Sequence, residues 1–443
     1  MRTLSGLIWF GLILSTPAWG QATQPKNPSD SLEQVRRRLL ADITQQSHYS
    51  CAQNITRRFF ESDSKAPQNC TNIVAAGFSR NHSAKLISID HLKLDVAIAD
   101  NREIHAWPGA GEFSEEEIRE LVGNGGPFGS GDFAAFIAGI FGGSAAIRFE
   151  QSRTLNHHTL YEYAFEVPQN ASNYAIATAA GSITIAYGGS FLIDAQAADL
   201  VELRVRTAEL PFTDACQAGS AIRYQRVAIH GQDVLIPSET ELHAVYSDGT
   251  EVVGVTSYSS CHEYASQTRL RFDVKDVSSK AVAPLTLGMK SLPPGLAFQA
   301  RILTPIDSST SAGQTIEAVL RAPLIDSVGQ TLALPGARVQ GRLVRFIEYK
   351  RPHNYFEADI RLDAIQINGA EVGLFAIPTH PTQPPGSTGV QDVRASRFSD
   401  FIAWAPRNVG AFYFLQKHLN VLDWDSEWLT TVPEPGAATH SVP

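Results

Sequence analysis

Apolar side chains recur at every second position in segment after segment of this chain. Leu92, Leu94, Val96 and Ile98 alternate with polar neighbours, and after a turn at Asp100 and Asn101 the pattern resumes over 103–107. It returns at 160–167, 174–179, 182–187, 190–194, 200–207, 221–230, 232–236, 241–246, 251–258 and 268–274. A period of two buries one face of a strand, and the gaps mostly hold Gly, Asp, Asn or Pro, which turn the chain back on itself. The fold class is therefore mainly β (α+β), built from antiparallel strands.

Two blocks break this rhythm. Asp30 and Glu33 read as a capping box ahead of Leu32, Val35, Leu39 and Ile43 at helical spacing. Ser114 with Glu117 makes a second such pair, and a glycine-rich bend covers 123–131. Beyond the bend, Phe133, Phe136, Ile137, Ile140 and Phe141 fall at i, i+3, i+4, i+7 and i+8, one continuous apolar stripe. Most such stripes are core. Tethered by Gly123, Gly125, Gly126, Gly129, Gly131, Gly142 and Gly143, this one also has the make-up of a movable lid over an apolar cavity.

The composition loosens over 278–284, and a second group of alternating runs follows at 298–303, 315–320, 338–346, 355–362 and 364–367. That spacing predicts a small β-barrel or sandwich over 285–378, after a first domain at 30–276. Residues 379–443 read as a Pro/Gly linker and C-terminal tail, with one apolar stretch at 409–422. At 443 residues, 43% of them apolar, the chain can bury more than one core.

Met1 and Arg2, the apolar run 4–14 and the small residues Ala18 and Gly20 form a secretory signal peptide over 1–20. Ser15, Thr16 and Pro17 end the apolar run short of the roughly 18 to 20 residues a membrane span needs, so no transmembrane anchor is expected after cleavage. An exported chain with four cysteines, Cys51, Cys70, Cys216 and Cys261, points to two disulfides. Three pairings are open. The sequence-local one, Cys51 with Cys70 and Cys216 with Cys261, keeps each bridge inside one supersecondary unit and is the expected one. Each loop would add about 3 to 4 kcal/mol.

Known chemical constellations are missing or poorly matched. The loop 123–131 lacks the Lys of a phosphate-binding loop and follows a helix, and there is no G-x-S-x-G elbow. His157 and His158 read as a solvated turn. Asp423, Asp425 and Glu427 alternate with Trp424, Ser426 and Trp428, so an extended segment puts acids on one face and indoles on the other; a pinned tail is the plainer reading than a metal site. No catalytic residue, cofactor or metal is therefore expected. With 36 basic against 45 acidic side chains, a net charge of −9, and no basic run longer than Arg36, Arg37 and Arg38, nucleic acid is not an expected partner.

Residues 34–272 resemble a group of uncharacterised secreted bacterial proteins. The resemblance rests on Tyr49-Ser50-Cys51 followed by Ile55-Thr56-Arg57, on Leu94-Asp95-Val96 leading to Glu103 through Gly109, on Phe191 to Asp194 with Asp199-Leu200, on Leu235-Ile236-Pro237, and on Cys261 to Tyr264. The order of helix, strands, lid-like helices and long meander is similar to the half-barrel of lipoprotein-localisation factors. That resemblance implies an antiparallel half-barrel whose concave apolar face holds acyl chains. Residues 292–346 resemble a small β domain of secreted bacterial proteins and, more distantly, the outer-membrane barrel component of type IV secretion channels. Pro294-Gly295, Thr304 with Ile306 to Ser308, Gly313, Leu334 to Ala337 and Gly341 carry that match, and it implies an adhesion or scaffold piece.

The expected protein is an exported, periplasmic or extracellular envelope protein without enzymatic activity. It would bind a lipid or another apolar small molecule in the half-barrel, beneath the stripe from Phe133 to Phe141. The competing expectation is a scaffold that packs against an envelope protein partner and holds no ligand.

Overall fold

The computed structural model describes residues 27–44, 49–61, 70–71, 84–99, 102–110, 133–172, 174–178, 181–207, 210, 215–229, 231–263, 291–351, 354–379, 409–415 and 424–432. The signal segment, the glycine-rich bend, the pair Ser114 and Glu117, the run 268–274 and the domain boundary at 277–284 lie outside the described residues.

Helix α1 spans Pro28–Thr44. Its cap is Asn27, whose Oδ1 accepts from Ser29 N at 3.0 Å, with Pro28 at the first helical position. The capping box read at Asp30 and Glu33 therefore falls inside the first turns. Ser31, Val35 and Leu39 form the buried face at four-residue steps, as a helix lying on a sheet requires.

Strands β1 (Tyr49–Glu61), β2 (Lys85–Ala99) and β3 (Arg102–Ala106) precede a second helix, α2 (Phe133–Gly139). The α2 helix continues as one wide turn over Ile140–Ser144, broken at Gly143 with φ +106°. Then come β4 (Ala146–Leu155), β5 (His158–Val167), a small separate hairpin β6–β7 (Ala175–Thr178 and Gly181–Thr184), β8 (Tyr187–Asp194) and β9 (Asp199–Thr207). The meander is completed by β10 (Ala215–Ile229), β11 (Gln232–Tyr246) and β12 (Glu251–Glu263).

Side by side these strands run β4-β5-β8-β9-β10-β11-β12-β1-β2-β3, every neighbour antiparallel. Among the described residues β4 has a strand partner on one side only, so this is an open half-barrel. Its inward residues and both helices share one apolar core that includes Val35, Leu39, Phe136, Phe141, Phe191 and Ile222. No helix among the described residues is long and apolar enough to cross a membrane.

The second group consists of β13 (Ala297–Ile302), β14 (Thr315–Leu320), a short hairpin β15–β16 (Leu324–Ile325 and Thr331–Ala333), β17 (Arg338–Tyr349), β18 (Tyr355–Ile367), β19 (Ala370–Gly373), β20 (Ala376–Pro378), β21 (Val409–Leu415) and β22 (Trp424–Thr430). They run β20-β22-β13-β14-β17-β18, with β19 and β21 sharing the far edge of β18. Their own core gathers Phe298, Phe346, Phe356, Phe412 and Trp428.

Two expectations are corrected here. The stretch assigned to a tail supplies two strands of this sheet. Trp428 is fully buried and Phe412 lies 5.7 Å from it, so the chain end is built into the core. The disulfides are also not sequence-local: Cys51 bonds Cys261 and Cys70 bonds Cys216, across separations of 210 and 146 residues. The reason is strand order. Ser50 on β1 faces His262 on β12, which brings Cys51 and Cys261 together although most of the half-barrel lies between them in sequence. Loops of that length place the stabilisation at roughly 5 kcal/mol each in the chain-entropy picture.

The two groups of strands are one hydrogen-bonded surface. Ser88, Ile89 and Asp90 of β2 pair with Tyr349, Glu348 and Ile347 of β17. Beside them the segment ending at Gly313 docks on β2, with Lys93 N donating to Ala312 O and Ala312 N to His91 O, both at 2.8 Å. Gly313 has φ +96°, and a Cβ there would meet the Lys93 carbonyl, so the close approach needs glycine.

Candidate functional site

The interior of the half-barrel is lined by rings. Phe149 of β4, 43% exposed at the open edge, packs on Tyr163 with centroids 5.6 Å apart. Tyr163 stacks on Phe191 at 5.1 Å, and Phe191 meets Phe141 at 5.0 Å. A second file runs from Phe165 through Tyr187 to Phe136, with Tyr174 against Phe136 at 5.0 Å. Strand alternation explains the placement: Tyr161, Tyr163 and Phe165 project inward from β5, and register sets Phe191 of β8 opposite Tyr163. Burial pushes the phenols of Tyr163 and Tyr187 up to about 12, so both stay neutral.

Four residues of the predicted stripe pack into this interior. Phe136, Ile137, Ile140 and Phe141 are all 4% exposed or less and belong to the same core as the sheet's inward rings. Phe133 opens α2, and its side chain lies outside what is described. Gly139 sits where α2 rides over Tyr187; a Cβ there would fall 2.5 Å from the phenol oxygen.

The two helices are held in different ways. A polar network ties α1 to the rim of the sheet: Arg226 of β10 donates to Asp199 Oδ2 at 2.5 Å and to Asp42 Oδ2 at 2.7 Å, while Arg38 donates to the Ala197 carbonyl at 3.0 Å and to Asp233 at 3.2 Å. Tyr163 Oη donates to Pro28 O at 2.6 Å. Packing holds α2, together with the bond from Arg36 Nε to Phe141 O at 2.6 Å.

A cluster of ionisable residues went unread in the sequence. Between the two sheets, Arg57 of β1 donates to Asp90 of β2 through Nε at 2.9 Å, and its Nη2 makes a second contact with the same carboxylate. Facing them, Arg345 of β17 lies 3.2 Å from Asp359 and 3.9 Å from Glu357 of β18, and Tyr349 Oη donates to Glu357 at 2.8 Å. These three ion pairs are nearly sealed from water, with side-chain exposures of 1 to 7%. Burial, then the neighbouring Asp359 carboxylate, pushes Glu357 up to about 8, with Arg345 pulling the other way; burial raises Asp359 as well. The cluster was detectable in principle. Arg57 occupies an inward position in the series Tyr49, Cys51, Gln53, Ile55, Arg57 and Phe59, and β18 alternates Tyr355, Glu357 and Asp359 against Phe356, Ala358 and Ile360.

Elsewhere the sequence readings land on ordinary structure. Asn156 and His157 form the positive-φ turn between β4 and β5, and His158 Nδ1 lies 2.6 Å from Asp194 Oδ2. Asp425 bonds Arg301 at 2.9 Å and lies 3.2 Å from Arg321, while Glu427 accepts from Gln299 at 2.9 Å; Asp423 lies outside the described residues.

No family profile and no curated protein sequence matches the chain. Solved structures are similar to it over about half its length, three of them as follows. A LolA superfamily protein from Nitrosomonas europaea aligns over 52% of this chain and 94% of its own, at 10% identity and a TM-score of 0.23. A Vibrio parahaemolyticus domain named for outer membrane lipoprotein sorting covers 56% and 96%, at 9% identity and 0.25. The lipoprotein LppX from Mycobacterium tuberculosis covers 53% and 97%, at 7% identity and 0.18. Scores this low carry no weight for what the chain does.

Proposed function

We propose that this is an exported envelope protein, without enzymatic activity, that binds an apolar or lipid-like molecule in the interior of its half-barrel. The observation that carries the reading is the way α2 is seated. A helix of seven residues covers a wall of aromatic rings, runs on into a wide turn that breaks at the positive-φ Gly143, and is held mainly by apolar packing, while α1 is tied down by charges. A hydrocarbon chain that displaced Phe136, Ile140 and Phe141 would make equivalent contacts, and its transfer from water supplies roughly 25 cal/mol per Å² of surface buried. Two disulfides support export. The sealed ionic cluster lies away from solvent, which suits a structural joint better than chemistry on a substrate.

A second reading has its own observation. The same four side chains, Phe136, Ile137, Ile140 and Phe141, fill the concavity, as expected of a scaffold that holds no ligand and packs against an envelope partner. One titration separates the two. Delipidated protein is mixed with methyl cis-parinarate, the neutral fluorescent ester of a fatty acid. Saturable uptake supports the carrier, and no saturable signal leaves the scaffold.

A further inference from the structure

Gln53 is 1% exposed on the inward face of β1, between Cys51 and Ile55, and neither atom of its amide has a hydrogen-bond partner among the described residues. On β11, Thr240 is equally buried, and its hydroxyl is also without a partner among the described residues. These two residues sit on one patch. Thr240 stands opposite Thr256 of β12, Thr256 stands opposite Ile55, and Gln53 is the residue two before Ile55 on the same strand face. Beside the patch, Ile222 pairs with Thr240 and Leu94 with Gln53, while the other strand neighbour of Gln53 is Tyr258, a ring that carries a hydroxyl.

Buried polar groups are almost always satisfied, because leaving one unpaired forfeits its hydration with nothing in return. A primary amide can both donate and accept, and a hydroxyl can do the same. The nearest cationic group on that face of β1 is Arg57, whose guanidinium is engaged by Asp90. An ionised carboxylate or phosphate brought to Gln53 would therefore be buried without a counter-charge, which is costly. A neutral group would not be.

We propose that Gln53 and Thr240 form a polar subsite in the half-barrel for a neutral hydrogen-bonding group, an alcohol, ester or amide, carried on a hydrocarbon chain. This rests on the carrier reading above and makes it more specific. The ligand class is a neutral single-chain lipid.

The test is competition of hexadecanol and hexadecane against bound methyl cis-parinarate, a neutral fluorescent ester, in the full chain and in the variants Gln53→Leu, Thr240→Val and both together. The wild-type chain should prefer the alcohol by about tenfold, the factor one good hydrogen bond supplies. In the double variant that preference should vanish while hexadecane competes as well as before, and the ligand-free variants should unfold at denaturant concentrations no lower than the wild type. An unchanged alcohol preference overturns the subsite, and so does a marked loss of stability in ligand-free Gln53→Leu, which would reveal a partner within the fold. If the wild type takes up no probe at all, the carrier reading itself fails.

Discussion

Tyr349 of β17 reaches diagonally to Glu357 of β18, with Tyr349 Oη donating to Glu357 Oε2 at 2.8 Å. The bond lies in the wall between the two sheets, in a group of three carboxyls and two guanidiniums: Asp90, Glu357 and Asp359 with Arg57 and Arg345. An excess carboxyl sealed from water is least costly when it carries a proton.

Stability should therefore depend on pH. The folded chain holds Glu357 up to about 8, against an ordinary value of 4.5, so between those limits it binds more protons than the unfolded chain. The stabilisation is complete below about pH 4.5 and is lost as pH rises through about 8. Glu357→Gln, which keeps a neutral group of the same shape, should flatten that decline. Denaturant midpoints measured across this range for both chains check it, and parallel curves would show that Glu357 is ionised throughout.

Phe141 is fully buried between α2 and Phe191. Phe141→Ala should lower stability by about 3 to 5 kcal/mol, the usual cost of an aromatic-sized core vacancy. If α2 occupies the space a ligand would take, the same change should tighten binding of methyl cis-parinarate. Fluorescence titration beside chemical denaturation separates the two effects.

The strap across the rim predicts a local effect. Arg226→Met keeps most of the side-chain volume but leaves Asp42 and Asp199 without their shared guanidinium. The expected loss is about 2 kcal/mol, since the group is only partly screened from solvent. Backbone hydrogen exchange should rise first in Pro28–Thr44, and rise much less in β5 and β8.

Non-reducing peptide mapping should recover Cys51 with Cys261 and Cys70 with Cys216. Breaking the first by Cys51→Ala should cost about 2 to 5 kcal/mol. It should free the end of β1 from β12 before the rest of the sheet opens.

How far the chain could be read depended on what faced inward. Strands such as β5 and β8 were legible because their inward positions are apolar: Tyr161, Tyr163, Phe165, Phe191 and Ile193. Strand β1 escaped the same pattern because Gln53 and Arg57 interrupt it, and these two residues hold the proposed subsite and part of the ionic cluster. The stripe Phe136, Ile137, Ile140 and Phe141 was legible as one helix face. What it covers was not.

Sequence by itself determined the β-rich class, the two short helices and the four cysteines, because alternation, helical spacing and residue identity are local properties. Tertiary structure decided which cysteines meet, that the chain end belongs to the second group of strands, and that five ionisable side chains from β1, β2, β17 and β18 converge. Those outcomes depend on strand order, which brings together residues hundreds of positions apart and leaves no period in the sequence to read.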